Sequence, residues 1–169
     1  MSFPPRPFVF AAFALLVPAP ASAGPASSAV TGTAALLSPV SVIKNSDMDF
    51  GTLVVTGAGT AVIDPVSGSL TTTGAVTKAG TAAHPATFIS TGSKNAVVHI
   101  KLPTNPITLT RVGGTETMTV STWTLDGATN RRIPGNNTFM FAVGATANVA
   151  AGQVNGKYVG TFTVTVQYP

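Results

Sequence analysis

The chain of 169 residues has no cysteine, so it can form no disulfide and offers neither a thiolate nucleophile nor a sulfur ligand for a metal. Packing and hydrogen bonding must hold it together. Charge is also scarce. The acidic residues are Asp47, Asp49, Asp64, Glu116 and Asp126, set against nine lysines and arginines, for a formal net charge of +4. The basic residues stand singly apart from Arg131 and Arg132, whereas a nucleic-acid surface gathers them on one face, so no nucleic-acid partner is expected. Histidine is limited to His84 and His99, neither with an acid at a useful spacing. A nucleophile elbow, a phosphate loop and zinc-type spacing are all missing. Asp47 and Asp49 lack the further acidic ligands and terminal glutamate of a helical calcium loop and read instead as turn residues. No catalytic residue, cofactor or metal ligand set is therefore assigned, and the chain reads as a non-enzyme.

The first 23 residues have the pattern of an export signal. One positive charge at Arg6 precedes an apolar run over residues 8–17, and Ala21, Ser22 and Ala23 form a small-residue cleavage site. The run is shorter than the about 20 residues needed to cross a bilayer, and no transmembrane segment is expected in the mature chain. The expected organisation is a signal peptide (1–23), an N-terminal extension (24–38) and one β domain (39–169). The expected location is the cell surface or the medium, reached through the periplasm.

Beyond the signal no amphipathic run of helical length occurs. Threonine, valine, alanine and glycine dominate, and Gly, Pro, Asn and Asp punctuate the chain about every ten residues, the pattern of an all-β antiparallel sandwich or barrel. An immunoglobulin-like β-sandwich is the preferred reading, with barrel closure as the alternative. Strands are expected at 39–44, 51–56, 60–64, 69–73, 86–91, 96–102, 107–112, 115–126 and 138–143, with loops at 77–85 and 130–137. Within 115–126, Met118 and Val120 keep one parity while Trp123 and Leu125 keep the other, which predicts a β-bulge near Ser121 and Thr122.

The last stretch is the most regular. Tyr158, Gly160, Phe162, Val164, Val166 and Tyr168 alternate with Val159, Thr161, Thr163, Thr165 and Gln167, as expected of one long strand with a buried and a wet face. Gly156 precedes it. Near the other end, Val30, Gly32, Ala34 and Leu36 share one face if residues 24–37 are extended, although alone these small side chains bury little.

The placement of Gly156 and the penultimate Tyr168 around those alternating residues resembles the C-terminal motif of chaperone–usher pilus subunits. Together with Asp47, Met48, Asp49, Phe50 and Gly51 early and Phe141, Ala142, Val143 and Gly144 late, it also resembles the secreted bacterial family called domain of unknown function 4402. The pilus resemblance implies an immunoglobulin-like sandwich lacking its last strand. It also implies a groove at Gly156, Tyr158, Gly160, Phe162, Val164, Val166 and Tyr168, where a periplasmic chaperone or a donor strand pairs. Val30, Gly32, Ala34 and Leu36 would be the donor positions. Neighbouring subunits of the same or a related kind, a chaperone and an outer-membrane usher are the implied partners. The alternative is a self-contained secreted sandwich that binds a glycan or another surface ligand through Trp123 or the Arg131 loop, with residues 24–37 completing its own sheet.

Overall fold

The computed structural model describes residues 27–169; the signal-peptide reading, and the first residues of the extension, lie outside that range. The chain divides between Ala35 and Leu36. Residues 27–35 carry no strand and are exposed throughout.

Residues 36–169 are all-β and sandwich-like, as expected. The strands are β1 (Ser41–Ser46), β2 (Thr52–Ile63), β3 (Leu70–Ala79), β4 (Ala86–Thr91), β5 (Val97–Lys101), β6 (Ile107–Arg111), β7 (Thr117–Leu125), β8 (Asn130–Arg132), β9 (Thr138–Val149), β10 (Tyr158–Val159) and β11 (Thr165–Gln167). Every ladder is antiparallel. Eight strands form one sheet ordered β1-β4-β9-β7-β6-β10, with the β2–β3 hairpin also joined to β9; β11-β5-β8 form a second, small sheet.

Strand β9 is the hub. On one edge Thr138–Val143 pair with β4 and Thr146–Val149 with β2, while the other edge pairs with β7. The two edge partners part company at Gly144. A Cβ there would collide with the Ile63 carbonyl oxygen, so the side-chain hydrogen of glycine is what lets β2 end against β9. The bulge expected in β7 is present: its register against β9 slips between Ser121 and Thr124, and Thr122 has φ 54°.

Asp64 organises the β2–β3 turn. Its carboxylate accepts hydrogen bonds from the Val66 and Ser67 N–H groups and the Ser67 hydroxyl, which hold its pKa below the ordinary value, the Ser67 N–H having the largest effect.

The structure corrects three readings of local sequence. Strand β3 continues to Ala79, well into the stretch expected to be loop, because pairing with Thr52–Val55 overrides its weak periodicity. Residues 130–132 are strand rather than loop, and Ile133 beyond them is fully buried. The final alternating stretch is not one strand: β10 borders the large sheet beside β6, and β11 borders the small sheet beside β5. The period-two burial nevertheless runs through both, since Phe162, Val164, Val166 and Tyr168 face inward and the intervening residues are exposed.

The small sheet covers only part of the large one. Val98, Ile100, Ile133, Val164 and Val166 close against Phe141 and Val143 of β9 to form one core. A second apolar cluster, Ala61, Ile63, Leu70, Val120, Ala145 and Ala147, lines the inner face of the large sheet farther along β2, β7 and β9.

Candidate functional site

Over that second cluster the fold leaves a cleft of about 1260 Å³. Of that cluster, Val120 and Ala147 line the cleft, each 1% exposed. Larger apolar side chains, Leu53, Ile107, Leu109 and Phe162, border it but remain half-buried. One wall is the chain from Asp47 into the start of β2; the other runs from Gln153 through β10 to Phe162.

The first wall is pinned by its own sequence. The Gly51 N–H donates to the Asp49 carboxylate at 2.7 Å, and Gly51 takes φ 67°, closing a tight turn. The backbones of Asp49 and His84 exchange hydrogen bonds of 3.0 and 2.8 Å. Those bonds fix Met48 and Phe50 against the apolar clusters. His84 itself is exposed, as expected, and His99 lies with Nδ1 2.8 Å from Asn130 Oδ1.

The second wall is anchored at both ends. At Gly156 a Cβ would come within 2.8 Å of the Arg111 side chain, which is itself paired with Glu116. Glu116 is held below the ordinary carboxylate value by that guanidinium, and Arg111 is raised in turn by the same hydrogen bond. The Tyr158 hydroxyl donates to the Val154 carbonyl and accepts from Gln153 Nε2, both at 2.7 Å. Gly160 passes so near β6 that a Cβ would lie 2.6 Å from the Thr108 carbonyl oxygen. Phe162 packs on Trp123, with ring centroids 4.7 Å apart, and meets Phe88 edge-on at 6.4 Å. Beyond the wall, the Tyr168 hydroxyl accepts a hydrogen bond from the Ser93 N–H in the β4–β5 turn.

Main chain lies open on both sides. Residues 160–164 belong to no ladder, being the passage from one sheet to the other. Opposite them, Thr52–Val55 pair with β3 on one edge, while β2 reaches β9 only from Gly59 onward. The cleft therefore offers apolar side chains below and unladdered backbone on both flanks, the chemistry that an added β-strand satisfies.

The terminal-stretch residues named from the sequence are thus brought together: Gly156, Tyr158, Gly160 and Phe162 line the cleft, while Val164, Val166 and Tyr168 belong to the closed core beside it. The four donor positions are not part of any strand. Val30 and Leu36 are 90% and 94% exposed, and Gly32 and Ala34 are exposed as well. Sequence reasoning missed Ala145 and Ala147 of the second cluster and the contribution of Leu53, Ile107 and Leu109 to the cleft. Their signal was a run of small inward-facing residues, 145 and 147, on a strand whose earlier inward positions are Phe141 and Val143.

Two residues suggested for ligand contact are otherwise engaged. Arg131 pairs with Asp126 and lies over the Phe141 ring at 5.9 Å. Trp123 is stacked on Phe162 and directs its indole N–H to the Asn105 carbonyl at 3.3 Å. Among the described residues, no three metal-ligating side chains come together and no helix is long and apolar enough to cross a membrane.

Fold and cleft together define an all-β, sandwich-like protein whose smaller sheet leaves part of the larger one uncovered. The chain belongs to the family Domain of unknown function (DUF4402), which matches residues 40–168. No characterised protein and no solved structure shows significant similarity to it.

Proposed function

We propose that the protein is a non-enzymatic structural subunit, exported to the cell surface, that assembles by accepting a β-strand from a second polypeptide. The observation that carries this reading is the cleft, with open backbone at Thr52–Val55 on one flank and residues 160–164 on the other. A single extended segment laid between them gains main-chain hydrogen bonds on its edges and buries alternate side chains against the apolar lining, Leu53, Ile107, Leu109 and Phe162 among it.

The occupant proposed is residues 24–37 of another copy. This stretch is free of charge and proline from Ala26 to Ser38, and Val30, Gly32, Ala34 and Leu36 alternate with mostly small polar residues. Its described part forms no strand and exposes its apolar side chains. Repetition of such a head-to-tail contact does not close on itself and gives a filament. The resemblance to pilus subunits agrees with this and adds a periplasmic chaperone and an outer-membrane usher as partners before assembly. A glycan-binding module has less to rest on, since Trp123 and Arg131 are both occupied within the fold.

The test is a synthetic peptide copying residues 24–37, titrated into the purified chain with Trp123 fluorescence as the readout. Saturable binding with a blue shift, together with peptide-blocked self-association, is the expected result. A chain that stays monomeric when concentrated and ignores the peptide would refute the proposal.

A further inference from the structure

The residue at which the N-terminal segment departs from the domain is held in an unusual way. Residues 27–40 carry no strand, and Leu36 is 94% exposed, yet both main-chain polar groups of Ser38 are taken by side chains from distant parts of the sequence. The Ser38 N–H donates to Ser93 Oγ at 2.6 Å. The Ser38 carbonyl accepts from the Tyr168 hydroxyl at 2.8 Å, and that same hydroxyl accepts from the Ser93 N–H at 2.8 Å. Ser38, the β4–β5 turn and the penultimate residue of the chain thus meet around one phenol oxygen.

The neighbourhood is built for that oxygen. Gly92 is buried beneath it, and a Cβ there would sit 2.9 Å from the Tyr168 hydroxyl and 2.7 Å from Ile133 Cδ1, so only glycine leaves the place free. The Tyr168 ring packs against the closed core, and β11 next to it is laddered to β5. The pin therefore stands on a rigid base. From Ser38 onward the chain is fixed by further bonds: the Ser90 hydroxyl donates to the Ser41 carbonyl at 2.9 Å, and the Ser41 and Thr91 hydroxyls are 2.8 Å apart. Before Ser38, no such side-chain bond anchors Leu36 or Leu37.

We infer that Tyr168 is a positioning residue for the N-terminal arm: its hydroxyl clamps Ser38 and so sets a sharp boundary between a mobile donor segment and a fixed domain. This rests on the reading of residues 24–37 as the part that engages a neighbour, and gives it a mechanical consequence. An arm that begins at a fixed point has a defined reach to the next subunit, and the residue that defines it follows β11, a few residues beyond the segment that walls the acceptor cleft. A tyrosine needed only for core packing would do equally well as phenylalanine; the hydroxyl is what the clamp uses.

The absence of native cysteine allows single spin labels at Leu36→Cys, two residues before the clamp, and at Val30→Cys, well outside it. In the otherwise unaltered protein the label at 36 should tumble more slowly than the label at 30. Tyr168→Phe keeps the ring and removes both hydrogen bonds, and should shorten the correlation time at 36 by about twofold while leaving position 30 and the urea midpoint little changed. Ser93→Ala, which removes only the acceptor for the Ser38 N–H, should give a smaller change of the same sign. Equal mobility at 30 and 36 in the parent protein, or an unchanged label at 36 in Tyr168→Phe, overturns the inference. Binding of the 24–37 peptide to the cleft is measured alongside. It should survive Tyr168→Phe, and its absence in the parent protein would remove the assembly reading while leaving the clamp result to stand on the labels alone.

Discussion

The two apolar clusters of this domain are built from the same alternating strands and end up in opposite states. Around Phe141 a second sheet is laid over the first, and Val98, Ile100, Ile133 and Val143 are at most 1% exposed. Around Ala147 the same large sheet continues with the same inward parity, but the small sheet has run out, and Leu53, Ile107 and Leu109 stay half-buried. What differs is the cover, and along β9 the residue types change with it, from large apolar side chains beneath the small sheet to alanines beyond it. Strand β9 crosses both regions and shows the change within one element, from Phe141 and Val143 to Ala145 and Ala147. The exposed apolar surface of the second region is therefore the outcome of a missing layer rather than of poor packing, and contiguous apolar surface of this kind marks an interaction site.

The contrast can be broken most forcefully from the closed side. Phe141→Ala removes a ring that touches Phe88, Phe139 and the Arg131 guanidinium, and should cost about 3–5 kcal/mol in urea unfolding. Leu109→Ala at the cleft border should cost only about 1 kcal/mol, because part of its surface is already in water. Equal losses at the two sites would mean that the cleft is closed in solution.

The next prediction sharpens the comparison from the open side. A leucine in place of Ala147 has no cavity to enter in a filled core, where such overpacking costs about 1–3 kcal/mol. Ala147 lines the cleft but is itself only 1% exposed, so the leucine should cost no more than that overpacking and, by projecting toward the cleft, weaken binding of the 24–37 peptide at least about tenfold, equivalent to 1.4 kcal/mol. Loss of stability with unaltered peptide binding would place the strand site elsewhere.

These differences explain how far the sequence could be read. Alternation at Tyr158–Tyr168 told which side chains point inward, and the change of parity between Val120 and Trp123 located a bulge, because both depend on backbone period alone. That residues 160–164 change sheets could not be seen, since a strand crossing between two sheets keeps the same alternation as a strand lying in one. Arg131 read as a loop cation because nothing local announces Asp126 as its partner or Phe141 beneath it. The cleft was the least legible part: its lining residues Leu53, Ile107, Leu109, Val120 and Ala147 come from four strands, and only the assembled sheets bring them to one face.

Gly160 tests how the open wall is held. It has no positive φ to justify glycine, but a Cβ would meet the Thr108 carbonyl oxygen at 2.6 Å, and that atom belongs to backbone that cannot swing aside. Gly160→Val should push residues 158–162 away from β6, costing about 1–3 kcal/mol and loosening the hydrogen-bonded β10–β6 pair, visible as faster amide exchange at Tyr158 and Val159. A variant as stable and as slowly exchanging as the parent would show that the wall can shift without loss.

The smallest effect expected separates surface electrostatics from both cores. Asp64 is held below its ordinary pKa of 3.8 chiefly by the Ser67 N–H, and Glu116 below its ordinary 4.5 chiefly by the Arg111 side chain. A carboxylate whose folded pKa is depressed binds its proton more weakly in the folded chain than in the unfolded one. Its contribution is complete above the ordinary value and is lost as pH falls through the folded one, so stability should be flat from neutral pH to about 5 and decline below about 4. Both groups are exposed to solvent, so the decline should be shallow and should weaken further in high salt for the Arg111–Glu116 pair. Asp64→Asn and Glu116→Gln should each flatten part of that slope in urea unfolding measured between pH 3 and 7. Neither should alter peptide binding at neutral pH, because the Asp64 turn lies outside the cleft and Glu116 acts only on Arg111, behind the wall. An acid-induced loss that survives both substitutions would show that these two carboxylates do not set the slope.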